Sequence, residues 1–247
     1  MPAGNTKLAE VLGALQGSFH PVVPFDHRKE RLVAMDFTQG NALLQHIDVS
    51  QTAVFSGYID RQLQAARAKF GIGGYGELRT LYSMSRLFDQ NSVGLPATTG
   101  EPRRFHLGVD IWGAQGTPVY VPLAGVVHGF AFNDHFGDYG ATIILRHQIN
   151  QIAFFTLYGH LSLADIGPLH EGQEVAQGSV FAHFGSPEEN GHWPPHLHFQ
   201  LVHQLGDQKG DYPGVCKYSE KEIYLDNCPD PDLILDLARH VPPGDAQ

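Results

Sequence analysis

The chain has 247 residues, of which 42% are hydrophobic and 17% charged, a balance typical of a globular protein. Its formal net charge is −10 with histidine neutral, and no basic patch stands out in the sequence, which argues against a nucleic-acid partner. The sequence contains no run of about 18 apolar residues, so it predicts no transmembrane helix.

The N-terminal segment MPAGNTKLAEVLGALQGSFH predicts an amphipathic helix and lacks the pattern of a secretory signal. Asn5 or Thr6 is the expected cap, Gly17 the expected stop, and the apolar face consists of Leu8, Val11, Leu12 and Leu15. The missing signal favours a cytoplasmic protein, with export by a non-standard route as the alternative.

Residues 1–100 read as an α/β N-terminal extension. Short apolar runs at 32–37 and 52–55 predict strands, and the periodicity of residues 59–70 predicts a helix. Residues 88–104 contain Pro, Gly, Asn and Thr without periodicity and indicate a linker.

Residues 101–205 predict a mainly β domain, an antiparallel sandwich or barrel. Runs rich in Val, Ile, Phe and Tyr recur between Gly, Pro and Asn residues, at 105–111, 118–122, 125–132, 141–147, 152–158, 179–184 and 197–202. Gly140 precedes one of these strands, where a missing side chain permits close backbone approach. Residues 206–247 predict a C-terminal tail that packs on this domain and contains a short helix after Asp230.

Cys216 and Cys228 form no CxxC pair and are interpreted as reduced thiols, with a disulfide between them as the alternative.

Histidine is unusually frequent, with 15 residues, and three short motifs contain it. FHLGVD places His106 and Asp110 four residues apart, and PHLHF places His196 and His198 two apart, so each pair faces one side of a strand. LYGHL places His160 at the end of an apolar strand. Such clustering indicates metal chemistry.

Spacing alone does not select the ligands, because His203 and Asp207 repeat the HxxxD pattern. The first pair is favoured because it lies on an apolar alternating run. A catalytic zinc ion takes three protein ligands and keeps one position for water, whereas calcium and magnesium prefer more oxygen ligands.

Taken in order, the motifs resemble the catalytic domain of the lysostaphin-type zinc endopeptidases, which are DD-endopeptidase-like enzymes of peptidoglycan. The resemblance covers about two-fifths of the chain and rests on HLGVDI, GTPVYVPLAGVV, GDYGATIILRH, FTLYGHLS, GQEVAQGSVFAHFG and PPHLHFQL. It implies a β fold of the duplicated hybrid motif type, with Zn²⁺ on the floor of a groove.

By matching motifs, the resemblance implies that His106, Asp110 and His198 are the metal ligands. It gives His160 and His196 the two non-ligand roles, general base and electrostatic support, with His196 preferred as the base. The implied activity is hydrolysis of peptide bonds in the stem or bridge peptides of peptidoglycan by metal-activated water.

Two segments depart from or extend the family pattern. The loop SPEENGHWPP (186–195) is bulkier than its family counterparts, and Trp193 in it either lines the substrate groove or packs in the interior. The glycine-rich IGGYGELR (72–79) resembles relatives that lie beside aminotransferase-like modules in long cytoplasmic chains. A structural turn is the favoured interpretation of this segment, and the alternative hypothesis is that Tyr75, Glu77 or Arg79 closes over the groove and contacts substrate.

Three other functions stay open at this point. The first is a cytosolic zinc-dependent hydrolase of a small peptide or amide, and the second is a non-catalytic zinc-bound binding module. The third is a carrier-type domain of the same β architecture. The expected partner is a peptide or peptidoglycan substrate, without nucleic acid or membrane insertion, and the oligomeric state is open.

Overall fold

A computed structural model describes residues 3–89 and 100–242. The strands within these ranges are β1 (Leu32–Met35), β2 (Phe70–Gly73), β3 (Arg103–His106), β4 (Val109–Trp112), β5 (Pro118–Tyr120), β6 (Gly125–Asn133), β7 (Gly140–Ile149), β8 (Ile152–Leu161), β9 (Glu174–Val175), β10 (Val180–His183), β11 (His196–Val202) and β12 (Val215–Lys217). The α-helices are α1 (Ala3–Ala14), α2 (Thr52–Ala66), α3 (Leu163–Ile166), α4 (Lys221–Asn227) and α5 (Asp232–Leu235). The fold is therefore mainly β, as the sequence predicts.

Eight strands form one large sheet in the order β1-β2-β4-β11-β8-β7-β6-β9. Strands β1 and β2 pair in parallel, and the other pairs are antiparallel. Two small antiparallel sheets, β5 with β10 and β3 with β12, complete the β structure. Every predicted strand between 105 and 202 overlaps an observed one, because alternation of apolar residues reports directly on a half-buried strand.

Apolar residues from one face of the large sheet form the main core. Leu197, Phe199 and Leu201 of β11 contribute to it together with Val109 and Ile111 of β4. Helix α1 packs there through Leu8 and Leu12, and α5 packs there through Ile234 and Leu235. The alternating partners of these strand residues lie on the opposite face, and that face carries the histidines described below.

The first hundred residues join this sheet directly. Strand β2 pairs with β4, where Gly71 lies opposite Trp112 and Gly73 opposite Asp110. The predicted strand at 32–37 is confirmed as β1, whereas the predicted strand at 52–55 was wrong. That run begins helix α2, whose buried Phe55, Tyr58 and Ile59 have helical spacing.

Other local predictions also changed. The helix predicted over 59–70 ends at Ala66, with Arg67 in a left-handed conformation, and Phe70 begins β2. Helix α1 begins at Ala3, before its predicted caps. The predicted C-terminal tail contains helix α4 in addition to the expected helix after Asp230, which is α5. Residues 90–99 of the predicted linker lie outside the described residues. Cys216 and Cys228 are both buried free thiols. Among the residues described, no helix has the length and apolar character that crossing a membrane requires.

His147 is buried in β7 and generates a prediction about stability. Its Nε2 lies 2.8 Å from Thr156 Oγ1, and burial lowers the pKa of its imidazole to about 4. The unfolded chain therefore binds one more proton than the folded chain between about pH 6.5 and pH 4. Stability is complete above the unfolded pKa and is lost as the pH falls, by about 2 kcal/mol between pH 7 and pH 5.

We expect His147→Gln to flatten this pH dependence by that amount. The measurement is denaturant unfolding at pH 7 and pH 5, with the metal content held constant. His170→Gln, which removes an exposed imidazole, is the control. A His147→Gln variant that loses as much stability as the wild type would contradict the assignment.

Candidate functional site

The register between β4 and β11 brings the central residues of the site together. His198 lies opposite Asp110, and His196 lies opposite Trp112. All four side chains point away from the main core, because they occupy the alternate positions of their strands. Strand β8, on the other side of β11, places Gly159 opposite His198.

His106, the last residue of β3, completes a group of three potential metal ligands. Its Nε2 lies 3.1 Å from His198 Nδ1 and 3.3 Å from Asp110 Oδ1, and His198 Nδ1 lies 2.9 Å from that same oxygen. Gly108 makes this approach possible, because a Cβ there would lie 2.5 Å from His198 Cε1. The structure thus brings together all three residues that the sequence assigns to the metal.

The remaining polar atoms of the three side chains have protein partners. His106 Nδ1 lies 3.0 Å from Gly74 O, and His198 Nε2 lies 2.9 Å from Gln200 Oε1. Both oxygens accept a hydrogen bond from a ring N–H, so the opposite nitrogen of each imidazole keeps its lone pair for a metal. Asp110 Oδ2 accepts from Arg79 Nη1 at 2.5 Å.

The electrostatics favour an ionised Asp110 and a neutral His106. Burial raises the pKa of Asp110, but the neighbouring His106 and Arg79 outweigh it and hold that pKa well below its usual range. Burial, reinforced by Arg79, lowers the pKa of His106 to about 4. These are the ionisation states that bind a divalent cation.

His160 and His196 lie beside this group with their rings stacked, 4.1 Å between centroids. His160 Nδ1 donates to Asn190 O at 2.8 Å, and His196 Nδ1 donates to Pro194 O at 2.7 Å. Each neutral ring therefore keeps a free lone pair on Nε2. Burial lowers the pKa of His196 to about 4 and that of His160 well below its usual value.

Backbone strain marks the same place. His160 has φ 63°, a left-handed conformation that non-glycine residues rarely adopt. Gly140, at φ 61°, lets the loop carrying Asn190 approach β7, because a Cβ there would lie 2.3 Å from Glu189 O. The predicted close approach at Gly140 is confirmed.

A cavity of about 280 Å³ opens over these residues, and Asp110, His160, His196 and His198 line it. Its other walls come from residues 79–88 and 208–215 and from the loop before β11. Trp193 both lines the cavity and packs in the interior, since it is 3% exposed and its Nε1 donates to Asp138 O at 3.2 Å.

The residues singled out in the glycine-rich segment occupy different places. Tyr75 does not line the cavity, and its hydroxyl donates to Cys228 O at 2.5 Å. Arg79 lies on the cavity wall but is 1% exposed and binds Glu77 and Asp110. Their contact with substrate stays a prediction.

The sequence analysis did not identify the residues that hydrogen-bond to the candidate ligands, Gln200 and Gly74. Gln200 follows His196 and His198 at the same two-residue period, so this signal was available in the sequence. The role of the Gly74 carbonyl carries no sequence signal, because any residue has a carbonyl group. Arg79 was singled out, but for a different role.

Comparison with known proteins identifies the class of this domain. Residues 104–210 match the model described as Peptidase family M23. This segment is therefore a peptidase-family domain, and the resemblance to the lysostaphin-type family is confirmed.

Curated relatives match a part of the chain of similar length. DD-carboxypeptidase/endopeptidase Mpg from Neisseria meningitidis serogroup B is 36% identical over 97 residues, which is 39% of this chain. Its counterpart from Neisseria gonorrhoeae is 35% identical over 98 residues. The chain aligns with only 20% of the length of each relative.

Two solved structures are also similar to part of the chain. A zinc-containing peptidase from Vibrio cholerae shares 26% identity over 46% of this chain and 30% of its own, with a TM-score of 0.33. The catalytic domain of lysostaphin from Staphylococcus simulans shares 19% identity over 68% of this chain and 96% of its own, with a TM-score of 0.36.

Proposed function

We propose that this protein is a zinc metallopeptidase that hydrolyses peptide bonds in peptidoglycan. The observation that carries the proposal is the convergence of potential ligand atoms of His106, Asp110 and His198 beside a cavity. Asp110 and His198 line this cavity together with His160 and His196. The family match and relatives named for endopeptidase activity support it.

The three candidate ligands fit zinc by chemistry and by number. Two neutral imidazoles and one carboxylate form a set that leaves a catalytic zinc one open position. A zinc ion held there would polarise a peptide carbonyl and lower the pKa of bound water towards about 7. Calcium and magnesium fit less well, because the group offers one carboxylate and two nitrogen ligands.

The two remaining histidines would move and hold protons. We assign the general base to His196, whose Nε2 accepts a proton and passes it to the leaving amine. His160 would support the negative charge that develops on the carbonyl oxygen. Because its Nδ1 already donates to Asn190 O, this role requires a second proton on Nε2, which makes the ring an imidazolium. Backbone carbonyls hold both rings in advance, so the reaction requires little reorganisation.

Aromatic side chains restrict water around these rings. Trp112 stacks on His196 with 3.9 Å between centroids and 15° between planes. Tyr139 and Trp193 face His160 at centroid distances of 5.6 and 6.0 Å. Interactions between charges and dipoles strengthen in such a low-dielectric wall.

The first prediction concerns the metal. We expect the wild type to retain one zinc ion per chain after dialysis, and His198→Ala to retain far less, because two ligands hold zinc poorly. Elemental analysis measures the content. His203→Ala, which disrupts the second HxxxD pair, is the matched control and should keep its zinc. A wild type without zinc would contradict the catalytic proposal.

The second prediction concerns the substrate. We expect the zinc-loaded protein to generate new amino termini in purified peptidoglycan, read by mass spectrometry, and His198→Ala to generate none. The masses identify the bond that is cut. No cleavage by protein that holds one zinc would contradict the peptidoglycan substrate and favour a small cytosolic peptide or amide, for which a peptide library is the next screen.

The third prediction distinguishes a catalytic role of His196 from a role in metal binding. We expect His196→Ala to keep its zinc but to lower kcat by about 10²–10⁴-fold, the usual contribution of a general base. The exposed loop residue His192 provides a control, and His192→Ala should keep nearly wild-type turnover. Wild-type kcat in His196→Ala would move the base role to His160.

A further inference from the structure

The turn of residues 74–79 contacts the candidate metal ligands from outside the segment that matches the peptidase family. It follows β2 and precedes a short 3-10 helix, Thr80–Met84. The carbonyl oxygen of Gly74 lies 3.0 Å from His106 Nδ1 and 3.2 Å from Arg79 Nη2. One backbone oxygen therefore fixes a ligand ring and a guanidinium group together.

Arg79 is a buried cation held between two carboxylates. Its Nη1 donates to Asp110 Oδ2 at 2.5 Å, and its Nε donates to Glu77 Oε2 at 3.0 Å. It also lies beside the ring of Phe37, 5.2 Å from the centroid. The planar group thus uses several of its donors at once, a geometry that a point charge cannot reproduce.

This contact divides the two oxygens of Asp110 between different tasks. Oδ2 is engaged by Arg79, whereas Oδ1 faces His106 Nε2 at 3.3 Å and His198 Nδ1 at 2.9 Å. A carboxylate that rotates freely can offer both oxygens to a metal ion. Arg79 removes that option by holding one of them.

We propose that Arg79 is a positioning residue that makes Asp110 a one-oxygen ligand of the metal ion and, through Gly74, keeps the His106 ring oriented. This inference rests on the proposed function, because it assumes that the three ligands hold zinc. It replaces direct substrate contact as the role of Arg79.

A role through charge and a role through positioning predict opposite effects of replacing Arg79 on metal affinity, so the two roles can be distinguished. If Arg79 acts only through its charge, removing that charge should strengthen the binding of a dication. If Arg79 acts by positioning, replacing it should weaken binding by about 10- to 100-fold, the usual effect of losing a residue that orients a metal ligand.

The test compares three variants with the wild type. Arg79→Lys keeps a positive charge between Glu77 and Asp110, so the buried carboxylate of Asp110 retains a cationic partner. It lacks the planar guanidinium group that donates several hydrogen bonds at once. The double variant Glu77→Gln/Arg79→Met removes one partly buried acid and its cationic partner together. Arg146→Gln removes an exposed arginine on β7 and is the matched control.

Two readouts are independent of activity. Zinc affinity is measured by competition with a chromophoric chelator, and cobalt(II) replaces zinc as a spectroscopic probe of coordination. We expect both Arg79 variants to bind zinc about 10- to 100-fold more weakly. We also expect the cobalt bands of Arg79→Lys to weaken relative to those of the wild type, because Asp110 then offers its second oxygen and the coordination number rises.

The outcomes separate this inference from the proposed function. Wild-type affinity with an unchanged cobalt spectrum in Arg79→Lys would overturn the positioning role while leaving the zinc site intact. Unchanged or tighter zinc binding in the double variant would also overturn it, because that variant leaves the local net charge unchanged and removes the guanidinium group that holds Asp110. A wild type that binds neither zinc nor cobalt would contradict the proposed function and the inference with it.

Discussion

The antiparallel pairing of β4 with β11 is the constraint on which the candidate site depends. It places His198 opposite Asp110 and His196 opposite Trp112, while Val109 and Phe199 from the same strands enter the main core. Because side chains alternate with a period of two, a slip of one residue would exchange the two sets. The apolar core therefore fixes the register of the polar group, and the positions of the candidate ligands follow from the burial of their neighbours.

The buried carboxylate of Asp110 needs a nearby positive charge, and Arg79 from the N-terminal part of the chain provides it. Asp110 is 3% exposed, and an ionised carboxylate at such a position needs charged or hydrogen-bonding partners. His106 and His198 supply part of that need, and Arg79 supplies a full positive charge. Strand β2 pairs with β4, and the turn that follows β2 places Arg79 beside Asp110. Residues 1–100 thus contribute to the site as well as to the sheet, although the sequence divides them from the β domain.

The sequence predicts those features that depend on a short repeat. Alternation between residues 105 and 202 identifies the strands, and the HxH spacing places His196 and His198 on one face of β11. The prediction that His106 and Asp110 share one strand was wrong, because β3 ends at His106 and β4 begins at Val109, and the ligand set came from the family resemblance. The role of Arg79 depends on the pairing of β2 with β4, which joins residues some forty positions apart and leaves no local pattern. The run at 52–55 failed as a strand because four apolar and β-branched residues fit both periods, and burial of Tyr58 and Ile59 decided for a helix.

Backbone atoms of the loop at 186–195 hold the two histidines that lie outside the ligand group. His160 and His196 are oriented by the carbonyl oxygens of Asn190 and Pro194, so their alignment requires the path of the loop backbone but not its side chains. The Asn190 side chain, which donates to Gly185 O and Trp193 O, fixes that path. A bulky loop can therefore change the cavity wall, as Trp193 does, while the histidine rings keep their orientation. Under the proposed function, divergence of the loop would alter which peptide fits the cavity and leave both imidazole rings in place.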